Sequence, residues 1–420
     1  MEKKVISTYG KHMVCPETIS EKIIKDIMKT GMDDYKNYIF KHTEKKTDNI
    51  TKFSSDELLK YIKESILNKS NPKKKPLLLL SDGKDSLCLA IAFNELNISC
   101  DTITFLKNDD NEMKSYLTKV TTKLGHNAHF ITVNEIIQSL DMGEFKKSFK
   151  SMNNPVLDQG YIFFLFGLKL FFEKYKLSSS DYEVYDGMGN DEYLGHMPSK
   201  EQLQSFKFSK INLWKILPSN FKSYKWYIRS PIESHGLLST LSCFFSFPYA
   251  YDLNKYFKGI KASLDKEHFL DLRAFSRGKY LDRQCMMGKT ETAANYLFTN
   301  AVFPWLDNEL SNYCFNIPVD EKLNFEELVN KVPLRKLLKN KISWNQDKRG
   351  VDLFLDLDEE FLKKFLTKEI PMVLIDRITF NKVLSTKVKK RAYLELLNFY
   401  LYCAVKENMT ENEIKEILNG

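Results

Sequence analysis

The residues best suited to chemistry lie between Pro76 and Ala90, where the sequence reads PLLLLSDGKDSLCLA. Leu77 to Leu80 form a short unbroken apolar run, as expected of a parallel strand covered on both faces. Ser81-Asp82-Gly83-Lys84-Asp85-Ser86 follows, and then an apolar helix. Backbone N–H groups at such a helix N-terminus form a site for an anion, and a phosphate fits it. Asp85 has the wrong charge for direct phosphate contact but is a suitable ligand for Mg²⁺ bridging phosphate oxygens. The pairing predicts nucleotide chemistry, with Ser81, Asp82, Gly83, Lys84, Asp85 and Ser86 around the phosphates. The loop is neither the G-x-x-x-x-G-K-[ST] phosphate loop nor the G-x-G-x-x-G dinucleotide turn. Read alone, it is equally a capped strand-to-helix turn, so a second motif has to carry the case.

That motif comes about a hundred residues later. Tyr182 to Asp186 reads as a strand that opens into Asp186-Gly187-Met188-Gly189-Asn190-Asp191-Glu192-Tyr193-Leu194-Gly195. Two glycine-carboxylate loops, each after a strand, could hold one metal from two sides.

The elements around the loops alternate. The patterns predict strand 77–81, helix 85–96, strand Thr102–Leu106, helix Asn111–Gly125, strand Ala128–Val133 and a strongly apolar helix Val156–Tyr175. Such alternation specifies an α/β fold with a doubly wound parallel sheet, whose ligands sit beyond the carboxyl ends of the strands. Before it, residues 1–75 read as a charged, lysine-rich extension. It carries one amphipathic helix, Ser55 to Leu67, capped by Ser54 or Ser55. Pro72-Lys73-Lys74-Lys75-Pro76 then breaks the chain. The α/β core is expected over 76–200 and a mostly helical part over 201–350, with no clear strands between 200 and 300. Residues 351–420 read as a C-terminal helical segment.

With both loops in place, the chain resembles the asparagine synthetase family, specifically its synthetase domain, within the ATP pyrophosphatases. The first loop resembles that family's S-G-G-x-D-S, with Asp82 where the family has its first glycine. The second resembles S-G-x-G-x-D-E-x-x-G, with Asp186 in the serine's place and Gly187, Gly189, Asp191, Glu192 and Gly195 matching. Pro304-Trp305-Leu306-Asp307 is similar to P-F-L-D, Ile317-Pro318 to the proline turn after it, and Lys331-Val332-Pro333-Leu334-Arg335 to K-x-x-L-R. Lys348-Arg349-Gly350-Val351 is similar to K-x-G-F. Asn154-Pro155 and Asp158 are similar to the family's segment before its apolar helix. The resemblance covers roughly 76–350. It departs where the family has E-x-R before P-F-L-D and this chain has Asn300 and Val302.

The resemblance implies an ATP-dependent ligase. The substrate carboxylate would be activated as an acyl-adenylate, pyrophosphate would leave, and ammonia or an amine would displace AMP. It assigns Mg²⁺ to Asp85 and Asp191, nucleotide contacts to the first loop with Gly187 and Gly189, and charge stabilisation to Lys348. Glu192 would act as general base or orient its loop. The family's glutaminase domain, with its N-terminal cysteine, has no counterpart in the sequence given. The expected reactants are therefore a small-molecule or peptide carboxylate and free ammonia, a substrate amine or ammonia delivered by a separate protein.

Bulk properties constrain the alternatives. The chain has 420 residues, 43% hydrophobic and 28% charged, which is an ordinary globular composition that needs more than one subdomain. A net charge of +8 hints at an anionic ligand and serves solubility equally well. The seven cysteines include no C-x-x-C pair, which gives no support to metal clusters, paired disulfides or sulfur-transfer chemistry. Cys88 reads as core, and His126 and His129 as structural. No apolar signal follows the first residues, and no stretch reaches the ~20 residues of a membrane span, so a cytoplasmic protein with no membrane partner is expected. Two other readings stay open. One is a nucleobase- or tRNA-modifying ATP pyrophosphatase, for which Lys73 to Lys75 would approach a phosphate backbone, although nucleic acid is an unlikely partner. The other is a non-catalytic nucleotide-binding module.

Overall fold

The computed structural model describes residues 53–194 apart from 109, 153–155 and 157; 286–342 apart from 325 and 328; 344; 353–379; and 386–414. It also describes two short antiparallel strands, β1 (Val5–Ile6) and β2 (Met13–Val14). The chain divides into two compact units, one of Ile50–Leu194 with Gln284–Asp358 and the other holding the remainder.

The first unit is built on a five-stranded, all-parallel sheet. Its strands are β3 (Lys75–Leu79), β4 (Asp101–Leu106), β5 (Asn127–Thr132), β6 (Tyr182–Tyr185) and β7 (Asn300–Val302), in spatial order β5-β4-β3-β6-β7. The chain therefore runs outward from β3 to β5 and then returns to the other side of β3. Right-handed crossovers in opposite directions place their helices on opposite faces of a sheet. Accordingly α2 (Lys84–Glu95) and α3 (Asn111–Lys123) share one buried cluster, through Leu87, Ile91, Met113 and Leu117. The helix α4 (Tyr161–Lys174) packs instead against α5 (Met287–Tyr296).

β3 is central because Leu77 and Leu78 are apolar on both faces and fully buried. The helix α1 (Ser55–Lys69) starts where Ser54 accepts the Glu57 N–H, and its Leu58, Leu59, Ile62 and Ile66 join the α2 cluster. The segment from Ser55 is thus part of the sheet unit. Three further elements close this face: Pro304–Leu306, α6 (Asn308–Asn316) and α7 (Val332–Lys341). Asp307 caps α6 by accepting from the N–H groups of Glu309 and Leu310.

Two sequence expectations are corrected. The strand β7 begins at Asn300, at the end of a region read as strandless. It is three residues long on the sheet edge, too short for a period-two pattern, and its pairing with β6 supplies what its own sequence does not. The helix α4 starts at Tyr161 rather than Val156, because Asp158 first makes a turn, accepting the Gly160 N–H at 2.7 Å.

In the second unit, helices Glu359–Leu366, Met372–Thr379 and Thr386–Leu401 pack on one another, with Tyr393 and Thr379 joined through their hydroxyls at 2.7 Å. Among the described residues, no helix is long and apolar enough to cross a membrane.

Candidate functional site

The order of the strands reverses between β3 and β6, and ligands of open parallel sheets bind at such a switch point. The loops leaving those two strands are Ser81–Ser86 and Asp186–Asn190, the two picked out by composition.

Two serines fix the first loop. Ser86 Oγ accepts the Ser81 N–H at 3.1 Å, and Ser81 Oγ accepts the Gly83 N–H at 3.1 Å. The helix α2 then begins at Lys84 with Gly83 as its N-cap, and no side chain caps it. The first-turn N–H groups of a helix have no intrahelical acceptors, so this terminus presents donors and the positive end of the dipole. Tryptophans brace the loop from outside. Trp305 Nε1 donates to the Asp85 carbonyl and Trp344 Nε1 to the Asp82 carbonyl, each at 3.3 Å.

The second loop comes close because it carries glycine. A Cβ on Gly187 would lie 2.8 Å from Ser86 N, so only glycine lets the two backbones meet. Gly189 has φ +115°, a conformation that side chains oppose. The buried Asp186 closes this loop on itself, with Oδ1 accepting the Met188 N–H at 3.1 Å and Oδ2 the Thr290 hydroxyl at 2.6 Å. Burial pushes its carboxyl above the usual aspartate range, against the opposing effects of Thr290, Lys289 and the Met188 N–H.

The loops meet at a lysine. Lys331 Nζ donates to Asp85 Oδ1 at 2.9 Å and to Asn190 Oδ1 at 2.5 Å, and forms an ion pair with Asp191 Oδ1 at 2.5 Å. Asn190 Nδ2 donates to Asp85 Oδ1 at 2.9 Å, which closes the network. The Lys331 side chain is 4% exposed, whereas those of Asp85 and Asp191 are 23% and 27% exposed, so the carboxylates keep an open side. Burial alone would lower the lysine's pKa, but Asp191 and Asp85 more than offset it and hold the ammonium above its usual range.

Beside these loops lies a cleft of about 250 Å³. Ser81, Gly83, Asp85, Ser86 and Gly187 line it together with the apolar Ile103, Phe105, Met113, Phe164 and Met188. That volume is just below the ~300 Å³ at which small-molecule sites usually start. An apolar slot that leads to a helix N-terminus suits a flat heterocycle carrying phosphates.

The donor set also suits Mg²⁺. Among the described residues no group of three or more His, Cys, Asp or Glu could hold a metal. Mg²⁺, however, commonly takes only one or two carboxylates and completes its shell with phosphate oxygens and water. Asp85 and Asp191 have that form.

The other sequence-derived candidates fall as follows. Lys84 is buried at the start of α2. Asp82 is half-buried and is not among the residues that line the cleft. Glu192 belongs to the short helix Asp191–Leu194, its side chain lying outside the described residues, as does Lys348 altogether. Arg335 donates to the Asn330 carbonyl and lies 5.2 Å over the Trp344 ring. Cys88 is buried, and burial and Asp85 push its thiol well above the usual range, so it is no nucleophile. His126 bonds the Ala90 carbonyl and the Cys100 N–H, and His129 pairs with Asp101.

Sequence reasoning missed Lys331 and Asn190. Asn190 occupies a variable place of its motif, and Lys331 figured only as the first letter of K-V-P-L-R. One signal for Lys331 was present: a lysine opens a proline-started helix where a capping Ser, Thr, Asp or Asn is usual. Compared with known proteins, the chain matches no protein-family model and no curated sequence.

Proposed function

We propose that this chain is an asparagine synthetase-like, ATP-dependent ligase that acts in the cytoplasm. On this reading its sheet is the nucleotide-binding fold of the ATP pyrophosphatases. It adenylates a substrate carboxylate, releasing pyrophosphate, and forms an amide with ammonia or an amine. The observation that carries the reading is the meeting of Asp85 and Asp191, 106 residues apart in the chain, at a helix N-terminus beside a cleft with apolar lining.

A carboxylate is a poor electrophile because its oxygens share a negative charge, and AMP supplies a leaving group. Bound Mg²⁺, held by Asp85 and Asp191, would neutralise the polyphosphate charge. The remaining work falls to the chain. Ser81 and Ser86 hold the loop that presents the α2 N-terminus to the phosphates. Phe105, Phe164 and Met188 line the cleft and would give the base an apolar wall. Lys348 is assigned the charge that grows on the reacting phosphate, and Glu192 the proton of the incoming amine.

The test is the fate of ATP. Purified protein incubated with Mg²⁺-ATP and a panel of carboxylates and amines should yield AMP and pyrophosphate in equal amounts, along with an amide detectable by mass. Bound ATP without AMP would instead favour the non-catalytic module. Stimulation by RNA would favour the nucleic-acid-modifying enzyme.

A further inference from the structure

The two carboxylates assigned to the metal already share a cation. The Lys331 ammonium donates to Asp85 Oδ1 and Asn190 Oδ1 and forms an ion pair with Asp191 Oδ1. A metal bound to the same two oxygens would need them about 2.1 Å away and would lie near where Nζ stands. Lysine and metal therefore compete for one place. We propose that Lys331 is the resident cation of this site, which holds Asp85 and Asp191 together and makes binding of a divalent metal conditional on nucleotide. The proposal rests on the assignment of those two aspartates as metal ligands.

Three observations favour this over a merely structural ion pair. Lys331 is sealed from solvent while both carboxylates remain partly open, and Asp85 lines the cleft. Asn190 binds both Lys331 and Asp85, so the acceptors are fixed as a set. Lys331 also sits at φ 51°, ψ 44°, a left-handed conformation that residues with a Cβ rarely adopt and that concentrates at functional positions.

Metal selectivity follows from competition. Free Mg²⁺ sheds water reluctantly, and here it would find two carboxylates already neutralised by a tethered ammonium. With polyphosphate present, Lys331 gains phosphate oxygens as new acceptors. Its flexible stem lets the ammonium leave the aspartates as the metal arrives with ligands of its own. The same lysine thus neutralises the carboxylates in the empty site and the phosphates in the filled one.

The experiment is titration with Mn²⁺, read by its electron spin resonance or by calorimetry, on the full chain with and without the non-cleavable analogue α,β-methylene-ATP. Without nucleotide, Lys331→Ala and Lys331→Gln should bind Mn²⁺ at least ten-fold more tightly than the wild type, while Lys331→Arg, which keeps a cation, should stay like the wild type. The analogue should tighten Mn²⁺ ten-fold or more in the wild type and much less in Lys331→Ala. Wild-type protein that binds Mn²⁺ alone as tightly as either neutral variant, or as tightly as it does with the analogue, overturns the proposal. Should the neutral variants fail to fold, the wild-type comparison with and without analogue decides; should the analogue not bind, the variants decide. AMP formation is a separate readout. Nucleotide-dependent Mn²⁺ binding without AMP would remove the ligase reading and leave the lysine's role standing, and AMP formation with nucleotide-independent Mn²⁺ binding would do the reverse.

Discussion

Gly187 stands so close to Ser86 that a Cβ on the glycine would lie 2.8 Å from the serine's backbone nitrogen. The contacted atom is main chain at the start of a helix, so it cannot swing aside as a side-chain tip would. Gly187→Ala should force the two loops apart by a few tenths of an ångström or more and lower pyrophosphate release by about 10²-fold, as small misplacements of reacting groups do. Thermal unfolding should change far less than turnover. A variant with normal turnover would mean that the contact between the loops does not matter to the reaction.

Asp85 and Asp191 should behave as one unit. Asp85→Asn and Asp191→Asn should each remove most pyrophosphate release, and the double variant should lose little more than either, because groups acting on one ion are not additive. A double-mutant cycle on turnover measures this, and independent losses would separate the two residues.

Trp305 is fully buried, and its indole N–H bonds the Asp85 carbonyl at 3.3 Å. Trp305→Phe keeps most of the ring contact but removes this second donor to a helix carbonyl, at a cost of about 0.5–1.5 kcal/mol. Trp305→Ala adds a cavity and should cost about 3–5 kcal/mol. Chemical denaturation distinguishes the two: no loss in Trp305→Phe would show that the hydrogen bond carries nothing, and equal losses that the ring adds nothing to it.

Lys348 is the residue assigned to transition-state charge. Lys348→Ala should lower kcat by about 10²-fold, or ~3 kcal/mol, with little change in ATP affinity, and Lys348→Arg should rescue poorly because a planar fork does not replace a compact ammonium. A raised KM at unchanged kcat would assign the lysine to ground-state binding instead.

His126 gives the pH dependence. Burial lowers its pKa, and the bond to the Ala90 carbonyl opposes this only in part. The unfolded chain therefore binds a proton at higher pH than the folded one does. The stability this histidine contributes is fully present above its unfolded value of about 6.5 and is lost as pH falls from there through the folded value. His126→Gln should flatten that part of the stability-pH curve, as followed by denaturant midpoint between pH 7 and 5.

Much of the sheet was legible because its central strand runs into an unbroken leucine stretch, Leu77 to Leu80, and its neighbours end in glycine or asparagine turns. Helix α1 announced itself through Ser54 and the four apolar residues on one face. The two loops were legible because carboxylates and glycines directly after strands have few other uses. What escaped reading was set by distance along the chain. Nothing near Lys331 indicates that it will meet Asp85, 246 residues earlier, and β7 takes its conformation from β6 and not from Asn300, Ala301 and Val302 themselves. Arg335 was read as the last letter of K-x-x-L-R, and its place over the face of Trp344 was not legible from that motif.

The same separation sets when the site can exist during synthesis. Asp85 leaves the ribosome 220 residues before Trp305, the donor to its carbonyl, and 246 before Lys331. At about 5–20 residues per second, the first loop waits roughly 10–50 s for its brace and its counter-ion. Until β7 pairs with β6, the Asp186 N–H also lacks the Val302 carbonyl that receives it. A nascent chain halted before residue 300 would carry both aspartates with no lysine between them, so unfinished chains lack the assembled Asp85–Lys331–Asp191 centre.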